Sequence, residues 1–523
     1  MSYTVVIARY NEPLEWVDKM NRKNIVIYNK GKTPIENAIQ KQNIGREVES
    51  FLYHVVNNYY NLPDYLIFLQ GNPFDHMNKG INPDNFQQHL DNLINSGIDN
   101  IEPFFTNRWI ETHGTYPAIQ SKEYYSLFFD GPIPPQSIFS SGCQYIIPKK
   151  NILSRPIQFY MKIHAMTLNT QILLFVDSHL NKHPFDCNSI DGWCLERLLM
   201  YVFSENIPIS PIMKQKRYLI TGGFGFIGSN LVNILSKNNS IVILDNLCTG
   251  NIEYVNMNNN IHFIDGNILD GNKLLQVGYV DGIFHFAAMS KVLPSLENKD
   301  MVNFCVEQNV LGTINVLKYA SSFNKPIKVI YSASSTYYGL NTIPNVETQS
   351  PDCQTPYALS KYCGELYCEL FYKLYNVPNV RLKYFMVYGP NEPSTGSYAI
   401  VTGIFLKRKY ENLPLMIHGD GSQTRDFVHV EDICKANILA MNNTNLVNDT
   451  INVGTGTMIS IKELANLISP NQIHVEARKV DLKHTLCDTT KLKEKLSWIP
   501  EKNIKDYILQ LQQNEYETKL QSN

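Results

Sequence analysis

Residues Arg217–Asn246, RYLITGGFGFIGSNLVNILSKNNSIVILDN, decide the fold. The apolar run Tyr218-Leu219-Ile220 reads as a buried strand. Gly222, Gly225 and Gly228 follow at fixed spacing, then a helix-period segment (Ile227, Leu231, Ile234, Leu235). A second strand, Ile241–Leu244, runs into Asp245. Strand, glycine turn, helix, strand and acid, in that order, are the parts of a dinucleotide-binding unit. The glycines permit a tight turn and let a pyrophosphate approach the backbone. The helix N-terminus offers that pyrophosphate free N–H groups and a positive dipole end. Asp245 can accept from both ribose hydroxyls and repels a 2′-phosphate, so the expected cofactor is NAD rather than NADP. A glycine triplet alone is often only a turn; the flanking strands and acid carry the reading.

Around this unit the chain has the composition of an ordinary globular protein. Its 523 residues, 44% hydrophobic and 18% charged, are enough for about three to four average domains, or fewer larger α/β ones. A net charge of −2 gives no reason to expect nucleic acid or a membrane surface as partner. No apolar run approaches the ~20 residues of a membrane span. The N-terminus lacks a signal-peptide layout, and the ten scattered cysteines form no CxxC pair. A cytoplasmic enzyme with free thiols is expected.

Upstream, Thr4–Ala8, Asn24–Tyr28, Leu66–Leu69 and Gln144–Ile147 read as strands, and Leu14–Met20 and Ile44–Tyr60 as helical stretches. The alternation argues a separate N-terminal α/β domain over 1–213. A last helix at Trp193–Phe203 gives way to Ser204–Pro211, whose prolines read as a linker. Residues 214–523 then form one large α/β domain with a smaller substrate-binding lobe. Its further strands are Ile261–Ile264, Gly282–His285, Lys328–Ser332 and Val380–Phe385, alternating with helices such as Phe304–Tyr319. A Rossmann-type, doubly wound parallel sheet follows.

Chemistry gathers after Lys328–Ser332. SASSTYYG (Ser332–Gly339) places hydroxyls at a carboxyl strand end, where ligands bind in such sheets. TPYALSKYCGE (Thr355–Glu365) sets Tyr357 and Lys361 four apart on one helix face. An ammonium beside a phenol favours phenolate, so Tyr357 is expected to have a lowered pKa and to act as general base. A hydroxyl-rich turn satisfying its own backbone is the plain alternative for Ser332–Thr336.

TGGFGFIG, HFAA (His285–Ala288), SSTYYG, YALSK, YFMVYGP and GDGSQTRDFVHVED resemble the extended short-chain dehydrogenases that modify nucleotide sugars. The resemblance covers nearly all of Arg217–Pro500 and is greatest to the nucleotide-sugar 4-epimerases. It implies tightly held NAD, with Tyr357, Lys361 and Ser334 as catalytic residues. Tyr357 would remove the sugar 4-hydroxyl proton, Lys361 would hold the nicotinamide ribose, and Ser334 would bond the 4-oxygen. The 4-keto sugar so formed would turn over before hydride returns to its other face. Cofactor contacts are implied for Gly222, Gly225, Phe226, Ile227, Gly228, Asp245, Asn246, Asn267, Ala287, Ala288 and Asn309; for Asn309 a turn or helix role stands as an alternative. Dehydratases of the group carry Asp-Glu after that Ser/Thr and the decarboxylases keep a glutamate at the second position. This chain has Ser335-Thr336 there, so epimerisation is preferred.

The same resemblance assigns substrate contacts. Arg425 and Arg478 align with arginines that grip the UDP diphosphate, for which a planar guanidinium fork suits. The lesser alternative for either is a surface ion pair. Asp481 aligns with a ribose-binding acid, Ser295 with a sugar-contacting serine, and Ser335 and Thr336 line the sugar site. Thr485 aligns with the residue beside the sugar 2-position; a small residue there implies that UDP-GlcNAc/UDP-GalNAc is accepted, beside UDP-Glc/UDP-Gal. Two positions depart from the pattern: Met386 replaces an asparagine and Asn267 an aspartate.

The N-terminal region, through ARYNEPLEWV, IYNKG, NIGREVESFLYH and NLPDYLIFLQGNP, resembles a family of unknown function with glycosyltransferase-like character. A DxD metal motif is missing, since Gln70-Gly71-Asn72 follows Leu66–Leu69. Asp191 and Glu196 are candidate acids with helix capping as the alternative reading, and Asp75-His76 reads as a solvated turn rather than a metal site. No metal is expected. The whole reads as a fused, homodimeric enzyme of nucleotide-sugar metabolism. Its rivals are a sibling dehydratase or decarboxylase, and a catalytically silent NAD-binding scaffold.

Overall fold

A computed structural model describes residues 1–20, 24–41, 46–76, 80–103, 109–112, 125, 128–132, 134, 136–139, 143–168, 198–205, 207–209, 215–290, 295–296, 298–323, 325–396, 399–477 and 482–522. It divides into two compact units, Met1–Lys216 and Arg217–Asn523.

The first unit is built on a six-stranded sheet in the order Ile39–Gln40, Ile25–Asn29, Tyr3–Arg9, Tyr65–Gln70, Tyr145–Pro148, Glu102–Pro103. The first four strands are parallel, and Tyr145–Pro148 runs against both of its neighbours. Val5, Ile7, Ile67 and Leu69 point into one core with Trp16, Phe86 and Leu90. The helix Arg46–Asn58 buries Val48, Phe51, Leu52 and Val55, the spacing of one helix face. The stretch read as a linker is instead fastened down at 207–209. Ile209 bridges Phe129, and Arg155 donates to the Ile207 carbonyl at 3.0 Å. Backbone polar groups satisfied in this way do not behave as a tether, whatever their proline content. The expected helix at Trp193–Phe203 is described only from residue 198; Asp191 and Glu196 lie outside the described residues, as do the side chains of Asp75 and His76.

The second unit carries a seven-stranded sheet in the order Ile261–Asp265, Ser240–Asp245, Arg217–Thr221, Gly282–His285, Val329–Ser334, Asn379–Tyr384, Asp449–Val453. Every neighbouring pair is parallel. Ser240–Asp245 is buried throughout, as an apolar strand covered on both faces must be. In sequence the strands run outward from Arg217–Thr221 in one direction and then, from Gly282–His285, in the other. Ligands bind at that switch point, outside the carboxyl ends of the strands.

The expected helix Phe304–Tyr319 is longer, from Asp300 to Ser321, with a π-helical stretch Val306–Leu311 inside it. The helix Pro356–Tyr375 starts where Thr355 Oγ1 accepts from the Ala358 N–H at 3.0 Å and Pro356 occupies the first position; Asn376 ends it at φ 55°. A smaller lobe follows, with short strand pairs Met386–Tyr388/Phe427–His429, Leu415–His418/Gln472–Val475 and Thr424–Arg425/Ile459–Ser460. Its core includes Tyr388, Phe405, Ile417, Phe427, Leu464 and Ile508.

Candidate active site

The glycine turn is shaped by close contacts that side chains would forbid. Gly222 sits at φ 70°, and a Cβ there would come within 2.7 Å of the Ala287 nitrogen. A Cβ on Gly228 would lie 2.1 Å from the Gly222 carbonyl oxygen, so this glycine lets helix Phe226–Leu235 seat on the turn. Gly225 differs. It is the N-cap, at φ −74° and ψ 178°, and the nearest atom to a Cβ would be the Gly222 oxygen at 3.3 Å. No side chain caps this helix, which leaves the N–H groups at Phe226 and Ile227 facing an approachable backbone. These features fit a dinucleotide pyrophosphate.

Asp245 ends its strand with both carboxylate oxygens engaged. Oδ2 accepts from the Phe224 N–H at 3.0 Å and Oδ1 from the Leu247 N–H at 2.8 Å. It therefore holds the glycine turn against the next loop, while the remaining lone pairs of each oxygen suit ribose hydroxyls. Asn246 beside it is exposed. Asn267 Oδ1 accepts from the Leu269 N–H at 2.9 Å, closing its own turn.

The other wall of the crevice is a directed chain of hydrogen bonds. The Ala287 N–H donates to Thr221 Oγ1 at 3.2 Å, and Thr221 Oγ1 lies 2.7 Å from His285 Nδ1. His285 Nε2 lies 3.0 Å from Thr313 Oγ1, which donates to the Asn309 carbonyl at 2.7 Å. Since the Thr313 proton is committed to Asn309, His285 must donate from Nε2 and accept at Nδ1. Burial, aided by nearby Lys361, drops the His285 pKa to about 3, so the ring stays neutral. The Asn309 side chain braces rather than reaches outward. Its Nδ2 donates to the Met289 carbonyl at 2.9 Å and Ser360 Oγ at 2.8 Å, and its Oδ1 accepts from the Met289 N–H at 2.7 Å. Ala288 lies between these two anchors in sequence.

Tyr357, Lys361 and Ser334 come together here. The Ser334 side chain acts on the Tyr357 phenol, lowering its pKa. Ser334 Oγ also lies 2.9 Å from Thr336 Oγ1 and accepts from the Thr336 N–H at 3.2 Å. Ser335 and Thr336, half-buried, open the short 3₁₀ turn Ser335–Tyr338. Lys361 is 3% exposed and holds its ammonium 4.4 Å from the Tyr331 ring centroid. The expected lowering of the Tyr357 pKa is not found. Desolvation raises it, with the Ser334 side chain partly offsetting. Burial also lowers Lys361 to about 7. Desolvation disfavours phenolate and ammonium alike, and a half-neutral lysine is a weak counter-ion.

On the substrate side, Arg425 is buried and donates from Nη1 to the Thr424 carbonyl at 2.8 Å. The Thr485 N–H donates to that same carbonyl at 3.2 Å, which brings Arg425 and Thr485 onto adjacent backbone segments. Met386 is half-buried at the start of its strand, and Ser295 is buried. Arg478 and Asp481 lie outside the described residues. Two residues escaped the sequence reading. Glu365, a further turn along from Lys361, accepts from the Tyr337 hydroxyl and from Thr450 Oγ1, tying the Tyr357 helix to the Ser335–Tyr338 turn. Asp426, next to Arg425, is fully buried among backbone donors; its place inside an otherwise polar motif was the only signal.

Residues 218–454 match the model of the NAD dependent epimerase/dehydratase family, and residues 5–216 that of a protein of unknown function (DUF3431), which assigns no sugar transfer to the first unit. A UDP-N-acetyl-alpha-D-glucosaminuronate decarboxylase of Bacillus cytotoxicus is 34% identical, over 55% of this chain and 93% of that protein. Among solved structures, a UDP-N-acetylglucosamine 4-epimerase from Methanobrevibacter ruminantium in complex with UDP-N-acetylmuramic acid is 32% identical with a TM-score of 0.53, covering 56% of this chain and 96% of that one. A UDP-glucuronic acid 4-epimerase from Bacillus cereus, in complex with UDP-glucuronic acid and NAD, is 30% identical with a TM-score of 0.51, covering 56% and 99%. Through its second unit, this chain belongs to the NAD dependent epimerase/dehydratase family.

Proposed function

We propose that the second unit epimerises a UDP-sugar at carbon 4, acting on UDP-GlcNAc/UDP-GalNAc and also on UDP-Glc/UDP-Gal. Bound NAD would supply the acceptor for hydride from carbon 4 and return it to the opposite face. Tyr357 takes and returns the 4-hydroxyl proton, Ser334 holds the 4-oxygen, and Lys361 positions the cofactor ribose. Arg425, with Arg478, grips the diphosphate; Asp481 bonds the ribose and Ser295 the sugar. Thr485 leaves room for a 2-N-acetyl group. The observation that carries this reading is the hydroxyl cluster of Ser334, hydrogen-bonded to Thr336 with Ser335 between them, next to the phenol of Tyr357. Hydroxyls, not carboxylates, follow Ser334, so elimination of water lacks its acid and base at those positions.

The similarity to a decarboxylase favours a second reading, in which the sugar loses mass. NMR and mass analysis of the purified chain with UDP-GlcNAc and UDP-Glc, and then with the corresponding UDP-uronic acids, which alone carry a carboxylate to lose, separates them. The 4-epimer at unchanged mass, lost in Tyr357→Phe, is expected. A lighter product would establish the sibling chemistry, and bound NAD without turnover would mark a silent scaffold.

A further inference from the structure

We infer that Asp426 is a positioning residue for sugar selectivity, a single buried carboxylate that fixes Arg425, Met386 and Thr485 relative to one another. This rests on the reading of the site as one for a UDP-sugar.

Asp426 is 0% exposed and accepts four hydrogen bonds from two other segments of chain. Oδ1 takes the Thr455 N–H at 2.8 Å and Thr455 Oγ1 at 2.7 Å. Oδ2 takes the Gly456 N–H at 3.0 Å and the Cys487 N–H at 3.1 Å. Its backbone carbonyl accepts from the Met386 N–H at 3.0 Å. The loop at 454–456 closes in only because it is built of small residues. A Cβ on Gly454 would lie 2.6 Å from the Cys487 Cβ and 3.0 Å from Asp426 Oδ2, and Gly456 sits at φ 70°.

Thr485 is two residues from Cys487, and its own N–H meets the Thr424 carbonyl. From the far side, the Asn345 N–H donates to the Leu486 carbonyl at 2.7 Å, and the Asp488 N–H donates to the Asn345 carbonyl at 3.0 Å. The segment bearing Thr485 is thus held at Thr424, Asn345 and Asp426. The Thr424 contact reaches Arg425, and of the three the Asp426 contact also reaches Met386, through the Asp426 carbonyl. Four donors directed at one carboxylate satisfy a group that would otherwise be unfavourable to bury. Tyr357, Lys361 and Ser334 belong to the sheet and its helix and do not contact this carboxylate, so the device sets where the substrate lies and not the proton transfer.

The test is Asp426→Asn in the full chain. The amide keeps the volume but turns one acceptor toward a backbone N–H as a donor. Amide exchange, read without substrate, should accelerate at Thr455, Gly456 and 484–488 and stay unchanged at 222–228. KM for UDP-GlcNAc should rise about tenfold or more, the effect of leaving a buried donor unpaired, while kcat changes less. The preference between UDP-GlcNAc and UDP-Glc should shift. Thr455→Val, which removes the Oγ1 bond to Asp426 together with that hydroxyl's bonds to Thr457 but keeps the three backbone donors, should give a smaller change in the same direction and serves if the first variant does not fold. Unchanged exchange at 484–488 overturns the clamp. Faster exchange with KM and sugar preference unchanged reduces Asp426 to a stability role and overturns the inference. A wild-type chain that turns over no UDP-sugar would sink the functional reading by itself, and with it the selectivity role, whatever the exchange arm shows.

Discussion

Ser334, at the carboxyl end of strand Val329–Ser334, acts on the phenol of Tyr357, in the first turn of helix Pro356–Tyr375. Its side chain is the one influence that lowers a phenol otherwise pushed up by desolvation. Tyr357→Phe should cut turnover by about 10²–10⁴-fold, the usual contribution of a general base, with NAD still bound. Ser334→Ala should move the acidic limb of the kcat profile to higher pH, because the tyrosine loses the interaction that favours its ionised form. A kcat profile that only scales down, without shifting, would separate Ser334 from the phenol.

Lys361 gives a stability signature in the cofactor-free protein. Burial brings its folded pKa to about 7, below the ordinary lysine value of 10.5. Between those values the unfolded chain binds the proton that the folded chain has released, so stability rises with pH from about 7 upward. The slope is at most about 1.4 kcal/mol per pH unit for one proton. Denaturant titrations of wild type and Lys361→Met from pH 6.5 to 9 should show this rise in wild type only. Parallel curves would mean that Lys361 stays charged throughout.

The second and third glycines of the turn should fail in different ways. Gly228→Ala places a methyl 2.1 Å from the Gly222 oxygen, so the helix must shift. Loss of about 1–3 kcal/mol of stability is expected together with loss of bound NAD. Gly225→Ala meets nothing closer than 3.3 Å and suits the φ of −74°, so stability should hold while the methyl obstructs the pyrophosphate. Thermal unfolding and NAD content of the two purified variants check this contrast.

What could be read from sequence follows from how local each constraint is. Gly222, Gly228 and Asp245 were legible because a turn, a close approach and a strand end are fixed within about thirty residues. The N-terminal strands were legible for the same reason, as short apolar runs between turn residues. The seventh strand, Asp449–Val453, was missed because its polar residues, Asn452 among them, pair with buried partners. The π-helical stretch at Val306–Leu311 leaves no periodicity signal distinct from the helix around it. Asp426 was invisible because its partners lie at Thr455 and Cys487, in loops. Spacing told that Lys361 neighbours Tyr357, but not that the ammonium is buried while the tyrosine is half-buried, and desolvation decides their pKa values.

Thr485→Tyr should remove turnover of UDP-GlcNAc and retain that of UDP-Glc. The substitution adds a ring to a half-buried position on the segment beside Arg425, where a 2-N-acetyl group would need the same space. Initial rates with both sugars decide it. Undiminished N-acetyl activity would mean that the 2-position lies elsewhere.

The helix that carries Tyr357 also presents a surface suited to a second copy of the chain. Leu359, Leu366, Leu370 and Leu374 are 53%, 43%, 43% and 59% exposed. Their spacing of seven, four and four residues lines up one face of the helix. Val302 and Val306, on the helix packed beside it, are also exposed. A row of leucines left in water is unfavourable for a monomer and marks an interface. Two copies related by a two-fold axis would bury the row against itself. Sedimentation velocity should therefore show a dimer, and the double variant Leu366→Glu, Leu370→Glu should sediment as a monomer, because like charges would face each other across the axis. Since the opposite face of the same helix holds Tyr357 and Lys361, the monomer should also turn over more slowly. A wild-type monomer with an intact active site would show that the leucine row serves another partner.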